Sequence, residues 1–341
     1  MSYNSRVNAI NANLRTFRDR IGALEVGSGP SPNGTVWTQS NVTSGMFSAS
    51  CFGKGVWVAA GDTNLWWSTD GKTWTECTGS SGYSWTYVYF ANGLFVGCAY
   101  ASGLWYSTDG KSWTQSNVTS GTFYDICQGK GNWVAVGTGG IYSATDGKTW
   151  TRRNTASCKI ACYANGFFVV APANSSTKLY YSEDSTSWNS SSAVSSTNVT
   201  FNDIICANGV WMVCTSNGTY FTTNLGASWT RSKSGSTYSI HFANGLYVMC
   251  HQSGGLLYST DYTLFEDGDM DLCFTRVYND AGIWIGIEPY EGLMYSLDGM
   301  SWHLSNIDYD NAFAHVHNAN GVWVACDGAN GLYYSVTWEN S

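Results

Sequence analysis

The chain has 341 residues, of which 12% are charged and 16% aromatic, and its formal net charge is −8. Such an aromatic-rich composition excludes a disordered chain, and the acidic balance lacks the basic footprint that a nucleic-acid partner requires. No run of about 18 apolar residues occurs, so no membrane-spanning helix is expected.

Residues 1–26 differ from everything after them. Val7, Ile10, Leu14, Phe17, Ile21 and Leu24 form an apolar seam with alternating spacings of three and four on an otherwise polar stretch that also holds Arg6, Arg15, Arg18 and Arg20. That pattern predicts a short heptad α-helix, marginal alone and in need of a partner. Self-association into a parallel bundle such as a trimer, docking on a neighbouring protein, and packing on the chain's own body are the three options, in that order. With no apolar core region, the N-terminus does not read as a secretory signal. Residues 27–35 read as a Gly/Ser/Pro linker and contain Pro30 and Pro32, two of the chain's four prolines.

From residue 36 to residue 341 the chain is repetitive. One marker is Gly, any residue, an aromatic, then an aliphatic. Its aromatics are Trp57, Phe95, Trp133, Phe168, Trp211, Tyr247, Trp284 and Trp323, recurring at a period near 38 residues. A second marker follows each copy, best seen as Trp67-Ser68-Thr69-Asp70-Gly71-Lys72-Thr73-Trp74 and Tyr106-Ser107-Thr108-Asp109-Gly110-Lys111-Ser112-Trp113. Asp-Gly between aromatic-rich runs reads as a tight hairpin with positive φ at both central residues. In the second unit the strands are expected from Trp85 to Phe90, Leu94 to Ala99, Leu104 to Ser107 and Trp113 to Gln115. Four strands per unit of this length predict an all-β fold, an eight-bladed β-propeller of four-stranded blades preceded by the N-terminal helix. A parallel β-helix is the runner-up, but its coils are shorter and lack such hairpins.

The last unit ends Tyr334-Ser335-Val336-Thr337-Trp338 without Asp-Gly. Trp37-Thr38-Gln39-Ser40 matches Trp113-Thr114-Gln115-Ser116 yet precedes the first full unit. The Trp37 strand is therefore expected to complete the last blade and close the ring. Near-identity continues from Trp37 to Phe47 and from Trp113 to Phe123, which reads as copying between units and suits a reshuffled surface.

Of eleven cysteines, Cys51, Cys127, Cys162 and Cys206 precede the aromatic step, and Cys98, Cys214, Cys250 and Cys326 follow it. Other copies place Ala, Val or Ile there, so these are small buried slots holding free thiols in a chain made in a reducing cytoplasm.

Ser-x-Asp-Gly-x-x-Trp with an aromatic before the Ser resembles the Asp-box, or bacterial neuraminidase, repeat, one residue shorter than the usual spacing. The resemblance covers residues 37–338. It implies a propeller in which the box is a turn between the third and fourth strands, remote from any active site. It does not imply an activity, since sialidases, sorting receptors and assembly factors share it.

Strand order then fixes two rims. The Asn-Gly and Asp-Gly turns fall on one and are nearly uniform. Links between second and third strands, and between blades, fall on the other and vary. Recognition is expected on the varied rim. Its candidate stacking residues are Tyr83, Trp85, Tyr100, Tyr290 and Tyr309, with Gln252, Glu291, Asp308 and Asp310 as hydrogen-bonding partners.

No catalytic, cofactor or metal site is expected. A sialidase needs converging arginines, and the body holds only Arg152, Arg153, Arg231 and Arg276. Asp267, Asp269 and Asp271 alternate as calcium ligands would, but without the rest of an EF-hand loop. His315 and His317 share a strand face without an evident third ligand. Together, helix, linker and propeller resemble phage tail-fibre and receptor-binding proteins. That resemblance implies a virion protein attached through its helix to other virion proteins or sister copies, binding a bacterial surface glycan or protein without catalysis. A glycan hydrolase and a structural decoration or assembly protein are the alternatives.

Overall fold

A computed structural model describes residues 34–194, 199–225, 228–252, 255–268, 272–280, 282–307 and 312–336. The expected helix over residues 1–26, with its seam from Val7 to Leu24, lies outside them. So do most of the 27–35 linker, Asp269, Asp271, Asp308, Tyr309 and Asp310. There is no helix among the described residues.

The rest is eight antiparallel sheets of four strands. Blade 1 is Phe47–Gly53, Val56–Gly61, Leu65–Ser68 and Thr75–Glu76, hydrogen-bonded in chain order. The other innermost strands are Trp85–Ala91, Phe123–Gly129, Cys158–Ala164, Phe201–Ala207, Thr237–Ala243, Arg276–Asp280 and Phe313–Ala319, in blades 2 to 8. Each neighbours the next around the axis. Blade 8 takes its outermost strand from the start of the chain. Thr38 and Gln39 pair with Tyr334 and Tyr333, and the Trp37 indole donates to the Gly34 carbonyl at 2.9 Å.

The core is eight apolar clusters, one at each interface between blades. The marker aromatics sit at its centre: Trp57, Trp133, Trp211, Trp284, Trp323, Tyr247, Phe95 and Phe168 are among the largest fully buried side chains. All eleven cysteines are free; Cys273 is exposed, Cys162 and Cys206 are half-buried, and the others are buried.

The two markers are physically one unit. In the box, Ser68 Oγ donates to Asp70 Oδ1 at 2.8 Å and accepts from the Gly71 N–H at 2.9 Å. Asp70 Oδ1 then accepts from the Lys72 and Thr73 N–H groups, both at 2.8 Å. Gly71 has φ 72, and a Cβ there would meet Trp57 and Val324 of the aromatic step within 3.3 Å. Only glycine combines that backbone with that approach. The lysine after it reaches back to the preceding blade, with Lys111 Nζ 4.1 Å from the Trp67 ring centroid and Lys148 Nζ 5.2 Å from that of Tyr106. Such cation–π contacts add a fixed link per interface.

This geometry corrects one expectation. The Asp-Gly corners are not two-residue turns with positive φ at both positions; only the glycine is positive, and the aspartate carboxylate holds the loop. Positive φ at both central residues occurs instead between first and second strands, as at Asn92 (φ 47) and Gly93 (φ 73). The Trp37 and Trp113 copies also have a structural meaning. Asn41 clamps the backbone of Trp74, accepting from its N–H at 2.7 Å and donating to its carbonyl at 2.9 Å. Asn117 does the same to Trp150 at the same two distances. The asparagine shared by the two copies thus bridges outer strands of neighbouring blades.

Trp37 should be as deeply committed to the fold as any core residue, since it is 3% exposed. Trp37→Ala is expected to lower unfolding free energy by about 3–5 kcal/mol, the range for a large aromatic truncated in a core. Urea denaturation checks this; a loss below about 1 kcal/mol, the size of a surface change, would show that ring closure does not depend on this strand.

Candidate functional site

The antiparallel order places the loops as the chain pattern predicts. Links between second and third strands meet links between blades, as in the hydrogen bonds Tyr100 N–H to Ser84 O, Gly82 N–H to Thr63 O and Gly103 N–H to Gly121 O. The box turns meet the Asn-Gly-type turns on the opposite rim, where Lys54 Nζ donates to Thr108 O at 3.0 Å.

Among the candidates on the varied rim, Tyr100 and Tyr290 stand out, 61% and 72% exposed. The Tyr290 loop is built by Glu288, a buried side chain whose carboxylate accepts from the Tyr290, Glu291 and Cys273 N–H groups. Burial pushes the Glu288 carboxyl up, and those three N–H groups oppose the shift. Gln252 is exposed, and its N–H is tied to the Ser236 carbonyl. Gln252, in blade 6, lies one blade from Tyr290 and Glu291, but Tyr83 and Tyr100 belong to blade 2, three blades further round. Among the described residues the candidates therefore form two groups and no single patch.

Trp85 is not a surface residue. It is 2% exposed, its indole N–H is held by the Ser80 carbonyl at 3.1 Å, and its ring lies 5.6 Å from Trp105 and 5.8 Å from Trp113. All three indoles belong to blade 2 and lie on the face it turns to blade 1, where they pack with Val58 and Leu65, so Trp85 fills the interface. Tyr83 covers the same cluster, half-buried, 4.8 Å from the Trp105 ring. Two exposed leucines, Leu264 and Leu297, and Met300 lie on the turn rim, which is accordingly less uniform than its sequence pattern suggests.

A second locus was not anticipated. The innermost strands line an axial channel, and its ionisable groups come from equivalent positions of different blades. Asp125, Asp203, Arg276 and His315 occupy one column; Cys127, His241, Tyr278 and His317 occupy the column two residues on. In this channel Asp125 accepts from its neighbour Ile126 N–H at 2.8 Å and from Ala161 N–H of blade 4 at 2.9 Å. Asp203 repeats this with Ile204 at 2.8 Å and Ile240 of blade 6 at 3.1 Å. His315 Nδ1 accepts from Ser50 N–H of blade 1 at 3.3 Å. Nearer the varied rim, Thr86 Oγ1 donates to Phe123 O at 2.7 Å, and Asn202 Nδ2 to Thr237 O at 2.7 Å.

Protein surrounds these groups while water still reaches them, since Asp125, Asp203 and His315 are half-buried and Arg276 is exposed along the channel. Enclosure pushes the Asp125 carboxyl up to about 7, against the Ala161 and Ile126 N–H groups and the Arg276 charge. It raises Asp203 as well, opposed first by Arg276. It pushes His315 down to about 3, helped by the charges of His317 and Arg276. His315 and His317 lie nearly parallel with ring centroids 6.2 Å apart. No group of three or more metal-ligating side chains is present among the described residues.

A strand-edge column of mixed Asp, His, Tyr and Arg was the available signal in the sequence. It was obscured because each residue differs from blade to blade.

No family model matches this sequence, and no curated protein matches it. Solved structures do match. The computationally designed Ika8 protein shares 10% identity, with 89% of this chain and 99% of that one covered and a TM-score of 0.65. Sqt1 of Saccharomyces cerevisiae shares 12%, with 90% and 100% covered and a TM-score of 0.64. YCF48 from Cyanidioschyzon merolae shares 14%, with 90% and 100% covered and a TM-score of 0.58. At such identities these likenesses show the fold, a β-propeller, and nothing of its activity.

The Asp125 carboxyl makes stability pH-dependent in a definite sense. Because its value in the fold lies above the ordinary one, its contribution is complete below about pH 4 and is lost as pH rises through about 7. A rise from 3.8 to about 7 corresponds to at most about 4 kcal/mol, and channel water reduces this. His241, His315 and His317, all depressed by burial, act oppositely, adding stability as pH rises toward 6.5. The test is therefore a difference: Asp125→Asn against the unaltered chain in urea, from pH 4 to pH 8. The variant's stability relative to the parent should climb across that range; parallel curves would show that Asp125 titrates normally.

Proposed function

We propose that the chain is a non-catalytic binding protein of the phage tail-fibre or receptor-binding type, which presents its varied rim to a glycan or protein on a bacterial surface. The observation that carries the binding reading is the division of the disc into two rims. One rim's repeated residues are consumed by scaffold contacts, from Ser68 through Trp74 to Lys111 on Trp67. The other holds exposed Tyr100 and Tyr290 on loops fixed by buried hydrogen bonds, and exposed aromatics on stiff loops suit recognition at low entropic cost.

Support for a non-catalytic role comes from the channel carboxylates. Asp125 and Asp203 each have both oxygens engaged by backbone N–H groups, one of each pair from the next blade, which gives them a place in the ring wall. One neighbour, YCF48, has been solved bound to a D1 peptide, so a propeller of similar shape takes a polypeptide ligand. The virion setting rests on the heptad seam, the linker and the composition. Several copies joined through the helix would multiply weak rim contacts.

This reading expects the chain among the proteins of purified virions, and expects the isolated chain to compete with virions for adsorption to host cells. Tyr100→Ala combined with Tyr290→Ala should weaken competition roughly tenfold, the effect of losing about 1.4 kcal/mol of contact. Leu297→Ser, on the turn rim, should leave it unchanged. Full competition by the double variant would remove the varied rim as the binding face, and absence of the chain from virions would remove the setting.

A further inference from the structure

Arg276 brings a cation to a column in which Asp125, Asp203 and His315 carry acceptors and Ala49 and Ile160 carry none. Asp125, Asp203 and His315 each accept a hydrogen bond from the next blade's innermost strand. A guanidinium offers five donors and no acceptor, so Arg276 cannot do this for blade 8. Nor is it spent elsewhere. Among the described residues its side chain makes no ion pair and no hydrogen bond; the surface pair Lys233–Asp267 is a separate contact. The carboxylates whose charges it feels, Asp203 and Asp125, are held by backbone N–H groups.

The surroundings of this cation are concave. Arg276 lines a cavity of about 190 Å³ between blades 5, 6 and 7, together with Asp203, Ser239, His241 and Tyr278. The Tyr278 hydroxyl is buried and has no hydrogen-bond partner of ordinary geometry, although the Val316 N–H faces it. Its own O–H is thus left to donate. Lys159, in blade 4, is half-buried, and the Arg276 charge adds to the burial that depresses its ammonium. Arg276 opens its strand, which places it toward the varied-rim end of the axis.

We propose that this cavity binds a small carboxylate, with the Arg276 guanidinium as a two-pronged anchor and Tyr278 Oη as a second donor. A planar guanidinium matches a carboxylate through two parallel hydrogen bonds. Asp203 on the lining disfavours a dianion such as phosphate. The volume corresponds to roughly six water molecules at about 30 Å³ each, room for a small organic acid or the acidic end of a sugar. In the second case the inference deepens the glycan reading of the varied rim and rests on it.

The full-length chain is titrated by NMR with sodium glucuronate, sodium lactate and neutral glucose. Saturable binding of an acid, with none of glucose, is expected. Preference for glucuronate would identify an acidic sugar as the source, and preference for lactate a free organic acid. Arg276→Gln should weaken binding at least about tenfold, because a charge-assisted pair is lost. Arg276→Lys, which keeps the charge without the fork, should fall between, and Tyr278→Phe should weaken binding severalfold with the melting temperature preserved. Unchanged affinity in a folded Arg276→Gln chain, or no saturable binding of either acid to the parent, overturns the proposal. Cell adsorption that persists, and still depends on Tyr100 and Tyr290, while neither acid binds would sink this inference and leave the rim reading standing. Acid binding without adsorption would do the reverse.

Discussion

A four-stranded sheet leaves two rows of backbone groups unpaired, one on its innermost strand and one on its outermost, and the ring depends on meeting both from neighbouring blades. A buried N–H or carbonyl group without a partner costs about 1–3 kcal/mol, comparable to what burying a large apolar side chain returns. On the outside, Asn41, Asn117 and Asn306 each bracket the backbone of a tryptophan in an adjacent blade, the last holding Trp37 N–H at 2.6 Å and its carbonyl at 2.9 Å. On the inside, Thr86, Asn202, Asp125, Asp203 and His315 do the equivalent work across the channel wall. Closure by the Trp37 strand is the same solution applied to the chain ends, where a strand with unmet edge groups would otherwise invite opening or pairing with another chain.

Charge in the channel follows from that requirement. The wall columns hold Tyr87, Ile160 and Ala49 as well as ionisable groups, and where the N–H of the next blade is met the residue supplies a polar acceptor. Aspartate and histidine meet the need, and enclosure then displaces their titration, Asp125 upward and His315 downward. Displaced titration here is a consequence of stitching the ring together and does not by itself mark catalysis. The box aspartates show the converse on the open rim. Partial burial pushes the Asp70 carboxyl up, but the Thr73 and Lys72 N–H groups outweigh it and leave it below the usual range. Asp184 is driven lower by the Ser187 and Thr186 N–H groups. Acid should therefore loosen the turn rim.

Much of the fold was legible because repetition averages out local ambiguity. Eight aromatics at a steady period, Trp57 through Trp323, fix the second strand of every blade, and the missing Asp-Gly after Ser335 fixes the closing strand. Side-chain direction was harder to read. Trp85 and Tyr100 both flank variable segments in the sequence, yet one is 2% and the other 61% exposed. Trp85 packs with Trp105 of its own blade, over Gly97, and the blade 1 residues that bury this face lie far off in the sequence, so its burial has no local mark. The turn type at Asp70-Gly71 was misjudged for a related reason. Asp-Gly satisfies a two-residue hairpin rule, but here Ser68 and the carboxylate of Asp70 offer the backbone a longer, side-chain-held alternative, and that alternative lets Gly71 rest on Trp57.

The axial cluster was hidden by a different effect. Reading along the chain, Arg276 is one arginine in an ordinary strand. Reading across blades at fixed position, it brings a cation where Asp125, Asp203 and His315 carry acceptors and Ala49 and Ile160 carry none. Only some members of the column stitch one blade to the next, so the scaffold does not require Arg276 to do so. Tyr278, two residues on, faces the Val316 N–H without closing a hydrogen bond of ordinary geometry. Arg276 is thus left out of the scaffold, and such a cation, beside a cavity and without an ion pair among the described residues, is where a rigid ring can acquire chemistry without weakening its seams.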